Sequence, residues 1–225
     1  MKTAKRKTNP IKGLLLHSFY SARTTIMILF CFSLLFGIFL CLAIHFGAIH
    51  AHVAPVFALL GISAFSCSLM AGEYKEIAVK WNKFQLAMPI KRSDAIASKY
   101  LGHLLMLLAG IIFTGIYIGL IFVLQEGCRE CFVEKIFMSV PASIGTSLVS
   151  CALFHFIACV AGMDKEGALW VVCMFVSGGI NGLILWTGYV ANVQFIGAAA
   201  CILVSAALFA VFYVVTKKIY AKKDL

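Results

Sequence analysis

The sequence predicts an all-α integral membrane protein with six transmembrane helices. Three features predict it: an apolar composition with few charges, four long stretches free of any charge, and a lopsided distribution of basic residues. Of 225 residues, 62% are hydrophobic and only 12% charged. Soluble domains run nearer half apolar and about a quarter charged. A water-soluble globule of this composition would lack the charges to coat its surface. A soluble enzyme and a disordered chain are therefore excluded, and a secreted disulfide scaffold is disfavoured.

The charge-free stretches count the spans. No Asp, Glu, Lys or Arg occurs in the 49 residues from Thr24 to Gly72, the 26 from Tyr100 to Gln125, the 28 from Ile136 to Met163, or the 50 from Gly167 to Thr216. A spanning helix takes about 20 apolar residues, because roughly 30 Å of hydrocarbon is crossed at about 1.5 Å per residue. The two shorter stretches hold one span each and the two longer ones hold two. A transmembrane barrel does not fit, since the apolar/polar alternation of barrel strands is missing. The expected spans are 26–45, 54–72, 101–124, 137–161, 168–187 and 195–216. They form a single domain over 1–225, with an arm at 1–25, a long connection at 73–100 and a tail at 217–225.

Orientation follows from the basic residues. The arm, the 73–100 connection, Lys165 and the tail together hold 17 Lys and Arg, against Arg129 and Lys135 on the opposite side. The positive-inside rule then places both termini in the cytoplasm. The net charge of +10 is mostly this topology signal. Nucleic-acid binding is not expected, because the cations are scattered over short segments rather than gathered in a patch. The N-terminus does not read as a cleaved signal peptide, because its apolar run is twice the length of an h-region.

In the arm, Asn9 and Pro10 give an N-cap and first-turn signal. Ile11, Leu14, Leu15, Phe19 and Tyr20 follow on a rough apolar face, with Lys12 and His17 off it. This reads as an amphipathic helix lying on the inner leaflet. His45, His50, His52 and Pro55 mark the turn between spans one and two, and Trp186, Thr187, Gly188, Tyr189, Asn192 and Gln194 the turn between spans five and six. Trp and Tyr favour the membrane interface.

The connection from Glu73 to Lys99 carries the most information. Tyr74, Ile77, Trp81, Phe84 and Met88 step by three and four, which puts them on one helical stripe. Glu73, Lys75, Glu76, Lys80, Lys83 and Gln85 are expected on the solvated remainder, with Glu76 and Lys80 an i,i+4 pair. Pro89 ends the helix, and Ser93 is expected to cap the next one with Asp94 in its first turn. The stripe is covered either by the bilayer and the protein's own helices or by a groove on a soluble partner.

Residues Glu73 to Leu101, EYKEIAVKWNKFQLAMPIKRSDAIASKYL, resemble the first cytoplasmic connection of the small ABC-2-type transporter permeases. The matching residues are Glu76, Lys80, Trp81, Phe84, Met88, Pro89, Ile90, Arg92, Lys99 and Tyr100. Within that family the resemblance is to permeases of the phenol-soluble-modulin (peptide toxin) exporter type. The resemblance implies a permease subunit of an ABC exporter, half of the membrane pathway for amphipathic, antimicrobial or toxin peptides. It implies a multi-pass location in a bacterial plasma membrane, a second permease copy, and two copies of a separate ABC ATPase that holds ATP and Mg. The chain itself has no G-x-x-x-x-G-K-[ST], the loop that cradles phosphates. No cofactor, metal or enzymatic activity of its own is therefore expected. Lipid or drug export, bacteriocin immunity, and a stand-alone channel or sensor are the alternative readings. A membrane protease is disfavoured, because H-E-x-x-H is absent and Gly145-Thr146-Ser147 lacks the glycine expected after the serine in a rhomboid-type site.

By the same resemblance, Glu76, Ile77, Lys80, Trp81, Phe84, Met88 and Arg92 form a coupling helix that docks on the ATPase, and Asp164, Lys165 and Glu166 make a second cytoplasmic contact. Ser63, Ser66, Met70, Gly178, Asn181 and Gly182 are candidates for the transport path or a dimer seam, with ordinary helix packing the alternative. Gly178–Gly182 and Gly115–Gly119 are GxxxG pairs that allow close helix approach. His103 and His155 read as satisfied packing residues. No Asp, Glu, Lys or Arg is expected mid-membrane, which disfavours a proton relay or ion-coupled carrier. Cys128 and Cys131 flank Arg129 and Glu130 in the external connection, where either a local disulfide or two free thiols fits. The remaining seven cysteines fall in spans, where a thiol behaves as a small apolar group.

Overall fold

The structure is a computed structural model, and it describes residues 10–47, 54–78, 90–124, 129–161 and 166–222. Seven helices are seen among the described residues: α1 Pro10–Ser21, α2 Arg23–His45, α3 Ala54–Ala78, α4 Arg92–Leu124, α5 Arg129–Ala161, α6 Glu166–Val190 and α7 Gln194–Ala221. Among the described residues, five helices are long and apolar enough to cross a membrane: α2, α4, α5, α6 and α7. The remaining expected span, 54–72, falls within α3, whose apolar run within the described residues is Leu60–Met70.

Helix ends follow local chemistry. Helix α2 stops at His45, where Gly47 takes a left-handed backbone with φ 70° and its N–H bonds to Ile44 O. Only glycine enters that region without steric cost. Helices α6 and α7 are joined by a tight turn in which Asn192 has φ 55° and Val193 N–H donates to Gly188 O. Asn tolerates this conformation better than other side-chain-bearing residues. The turn lies at the expected place, although α6 continues through Trp186 and Tyr189. Ser93 does not cap α4. The helix already begins at Arg92, and the Ser93 hydroxyl donates to the Asp94 carboxylate instead. Asp94 does lie in the first turn. With 33 residues each, α4 and α5 are about 50 Å long, well beyond the roughly 30 Å of hydrocarbon.

Helix α5 is the central element. Its apolar stretch is 61% buried inside the chain, against 17–28% for the other four candidate spans. On one side it packs with α6 and α7, and on the other with α3, which carries α4, α2 and α1. Ala22, Phe65, Leu69 and Met106 bury together where the α1–α2 bend meets α3 and α4. Met70, Cys151, Phe154 and Cys173 bury where α3, α5 and α6 meet. The outward faces of α2, α6 and α7 show Phe32, Leu35, Phe175, Leu183, Phe195 and Leu203, as expected of surfaces solvated by lipid.

Helix α1 is correctly placed from Pro10, but its face is narrower than the sequence suggested. Leu14 is buried and Phe19 half-buried against α3 and α4, while Tyr20 and Leu16 point outward. The helix thus packs on the bundle through part of its apolar surface.

Candidate functional site

The described part of the 73–100 connection departs from its expected form at the start. Helix α3 runs without a break through Glu73 to Ala78. Glu76 and Ile77 are in its last turn, while Lys80, Trp81, Phe84 and Met88 lie outside the described residues. Arg92 opens α4 and is not a free rim cation. Its Nη1 lies 3.4 Å from the Ala221 carbonyl and donates to the end of α7. Asp164 and Lys165 lie outside the described residues, and Glu166 is the first residue of α6. Cys128 is likewise outside them, and Cys131 falls in the first turn of α5.

The clearest departure is Glu73. It was expected on a solvated face and is 7% exposed. The reason lies in helical spacing. Ser63, Ser66, Met70 and Glu73 step by three, four and three, so Glu73 continues the stripe that α3 turns toward α4 and α5. Lys99 projects from α4 one turn before His103 on the same helix face. Its Nζ lies 3.3 Å from Glu73 Oε2, and His155 Nδ1 on α5 lies 3.8 Å from the same oxygen. Burying a lone carboxylate costs several kcal/mol (roughly), and an ammonium at contact distance offsets it. Removing either partner leaves the other charge uncompensated, at about 3–5 kcal/mol.

Around this pair the neighbours are also enclosed. His103 is buried and its Nε2 donates to Ser147 O at 3.1 Å. Ser18, Leu69, Met70, Glu73, Ser98, Lys99, His103 and His155 line a cavity of about 10 Å³, room for about one water. Ser21 Oγ donates to Gly72 O at 3.2 Å, and a Cβ on Gly72 would stand 3.0 Å from Ala22 Cβ, so the α1–α2 bend lies directly against α3 beside Glu73. Tyr100, the partner of Lys99 in the resemblance, turns the other way. Its hydroxyl is 3.3 Å from Thr216 Oγ1, and its ring packs 5.1 Å from Phe209 and Tyr213 on α7 and 5.2 Å from His155. The Lys99–Tyr100 dipeptide therefore ties α4 to α3, α5 and α7 at once. His155, expected as packing, is buried with its ring against Tyr100 and Phe154, and its Nδ1 also lies 3.8 Å from the Glu73 carboxylate. His103 behaves as expected, with its ring enclosed and hydrogen-bonded.

Of the other candidates, Ser63, Ser66, Met70 and Asn181 are buried inside the chain. Ser63, Ser66 and Met70 are buried on α3, Met70 against Cys151, Phe154 and Cys173, and the Ser66 hydroxyl donates to Ser63 O. Asn181 is fully buried as a hub of α6. Its Oδ1 accepts from Ser205 Oγ and Cys201 Sγ on α7, each at 2.9 Å, while its Nδ2 donates back to Ser177 O. Gly145 on α5 makes room for it, since a Cβ there would stand 2.6 Å from Asn181 Oδ1. The GxxxG expectation fails within this chain. Among the described residues, and apart from each helix's own backbone, nothing approaches within 4 Å of a Cβ built on Gly115, Gly119, Gly178 or Gly182. Close approach occurs instead at Gly110 against Ile62 and at Gly188 against Gly197, pairs formed between helices that sequence spacing within one helix does not show. Among the described residues, no group of His, Cys, Asp and Glu is arranged to hold a metal.

Two features frame this site: a bundle of long apolar helices, and a buried charge pair at the root of the 73–100 connection. Comparison with known proteins adds the identity of the bundle. A family model described as ABC-2 family transporter protein matches residues 13–221. No curated protein and no solved structure matches the chain. The family match takes in every described helix except the first three residues of α1 and ends at the last residue of α7, so this multi-pass membrane chain belongs to the ABC-2 family of transporter membrane proteins.

Proposed function

We propose that this chain is the permease subunit of an ABC exporter, energised by a separate ATPase. The observation that carries the reading is the family match over residues 13–221. Permeases of this family generally work with an ABC ATPase, and this sequence holds no phosphate-cradling loop. In this reading α3 is the second of six spans and both termini are cytoplasmic, and the distribution of 17 basic residues against 2 supports that orientation. The connection around Trp81 docks on the ATPase, and two permease copies with two ATPase copies complete the transporter in a bacterial plasma membrane. Amphipathic or membrane-active peptide is the cargo favoured by the resemblance over Glu73 to Leu101.

The test is co-purification followed by turnover. The tagged chain, expressed with its ATPase, should retain a chain bearing G-x-x-x-x-G-K-[ST]. ATP hydrolysis by the reconstituted complex should rise when an amphipathic helical peptide is added. Stimulation by lipid or drug-like compounds in place of peptide would move the cargo to those classes. A chain that retains no ATPase refutes the permease reading.

A further inference from the structure

We propose that Glu73, Lys99 and His155 form a clasp that holds the last turns of α3 against the first turns of α4 and fixes both to α5. The consequence is that α3, α4 and α5 move as one body at this end of the bundle. The three are positioning residues. The role assigned to the connection rests on the permease reading, whereas the clasp itself rests on geometry.

Placement carries the first argument. Glu73 lies five residues before the end of α3 and Lys99 seven residues past the start of α4, and although 26 positions apart in sequence they stand 3.3 Å apart. Any displacement of the segment between them pulls on both, and through His155 at 3.8 Å on the central helix. Tyr100, adjacent to Lys99, extends the same joint to Thr216 on α7. The second argument is energetic. A buried ion pair is seldom the best way to stabilise a core, since apolar residues of similar volume often serve as well or better, and its best-attested use is to fix register. Here the pair is 13% and 8% exposed, in a layer where Leu69, Met70 and Met106 show that apolar side chains pack well. The third is enclosure. The α1–α2 bend closes over the pair, with Ser18 on the cavity wall and Ser21 bonded to Gly72 O, so bulk water screens the attraction only weakly.

The experiment compares the parent with Glu73→Met/Lys99→Met, which keeps volume while removing both charges, and with the exchanged pair Glu73→Lys/Lys99→Glu. Spin labels are placed at Lys91→Cys and Val160→Cys, exposed positions at the start of α4 and the end of α5, after Cys31, Cys128 and Cys131 are changed to Ala. The distance distribution is measured in nanodiscs, without nucleotide and with ATP and vanadate on the complex with the ATPase. The parent should give one narrow distribution that nucleotide does not widen. The Met pair should unfold no more readily than the parent, yet its distribution should widen roughly twofold and shift with nucleotide, as expected of helices released from a shared rigid body. The exchanged pair should be narrow again. A Met pair as narrow as the parent in both states overturns the clasp, as does an exchanged pair as wide as the Met pair. If the Met pair does not fold, the exchanged pair decides alone. A parent that retains no ATPase would remove the permease reading, while the nucleotide-free widths would still decide the clasp.

Discussion

Gly145→Ala should destabilise the chain through Asn181, and removing Asn181 should remove most of that cost. The added methyl would stand 2.6 Å from Asn181 Oδ1, 3.0 Å from Asn181 Cγ and 2.8 Å from Ser205 Oγ. Overpacking of this kind costs about 1–3 kcal/mol. Moving the amide aside also lengthens its bonds from Ser205 and Cys201 on α7. Interhelical hydrogen bonds in bilayers average about 0.6 kcal/mol, with a maximum of about 1.7. Gly145→Ala should therefore cost about 2–3 kcal/mol, the sum of a clash and a weakened bond or two. Asn181→Ala should cost about 1–2 kcal/mol, since Ser205 can turn back to a carbonyl of its own helix. In the Asn181→Ala background two of the three clashing atoms are gone, and the third belongs to a hydroxyl that rotates. The double variant should then be less destabilised than the two singles combined, by at least about 1 kcal/mol, the size expected for residues in contact. Unfolding of the purified chain in bicelles by steric trapping measures all three. Additivity within about 0.3–0.5 kcal/mol, the behaviour of independent sites, would refute the hub.

Four further outcomes are expected. A membrane-impermeant thiol reagent on intact cells should label Cys128 or Cys131 after reduction and leave a Ser93→Cys variant unlabelled; the reverse pattern inverts the topology. Trp81→Ala should weaken ATPase association by about 2–4 kcal/mol, as for an aromatic anchor, and Trp81→Glu more, whereas Lys83→Ala should cost about 0–1 kcal/mol; pull-down at matched expression reads all three. Gly178→Leu and Gly182→Leu should leave the unfolding of the monomer nearly unchanged, because among the described residues of other helices nothing lies within 4 Å of a Cβ at either, and a dimer that falls apart in these variants on size-exclusion chromatography would place the seam on α6. The purified chain alone should hydrolyse no ATP, and turnover free of any partner would remove the permease reading.

The bundle was legible because burial in lipid is written in one letter class. Charge-free runs fix where helices lie, and the wet connections punctuate them at His45 and Gly47 and again at Asn192. Packing between helices was not legible in the same way. Gly178 and Gly182 satisfy a spacing rule along one helix, but whether a neighbour comes close depends on how α5, α6 and α7 cross. The structure puts the close approaches at Gly110, Gly145, Gly188 and Gly197. Asn181 was legible in kind, since an amide in a span needs a partner, but its partners are set by α7.

Glu73 shows where charge-based reading fails, and also how it could have succeeded. A rule that ends a span at the first charge treats that charge as solvated. It scores residue type and ignores direction. Yet α3 does not end at Gly72, and the side of the helix is fixed by residues already known to be inside. Extending Ser63, Ser66 and Met70 by one further step lands on Glu73, one position off the stripe of Tyr74 and Ile77. A carboxylate on the inner stripe at a span's end calls for a cation on the facing helix at the same depth. The next span begins just past Lys99, so the candidate partner was one residue from the expected boundary. The stripe and the sign of the charge could thus predict the pair between α3 and α4. His155 could not be found this way, because its depth depends on how far α5 slides along its neighbours, a quantity that comes from the packing of Phe154 and Ala152 against α3, α4 and α7. The two-helix part of the site is therefore a property of sequence periodicity, and the third leg is a property of the assembled bundle.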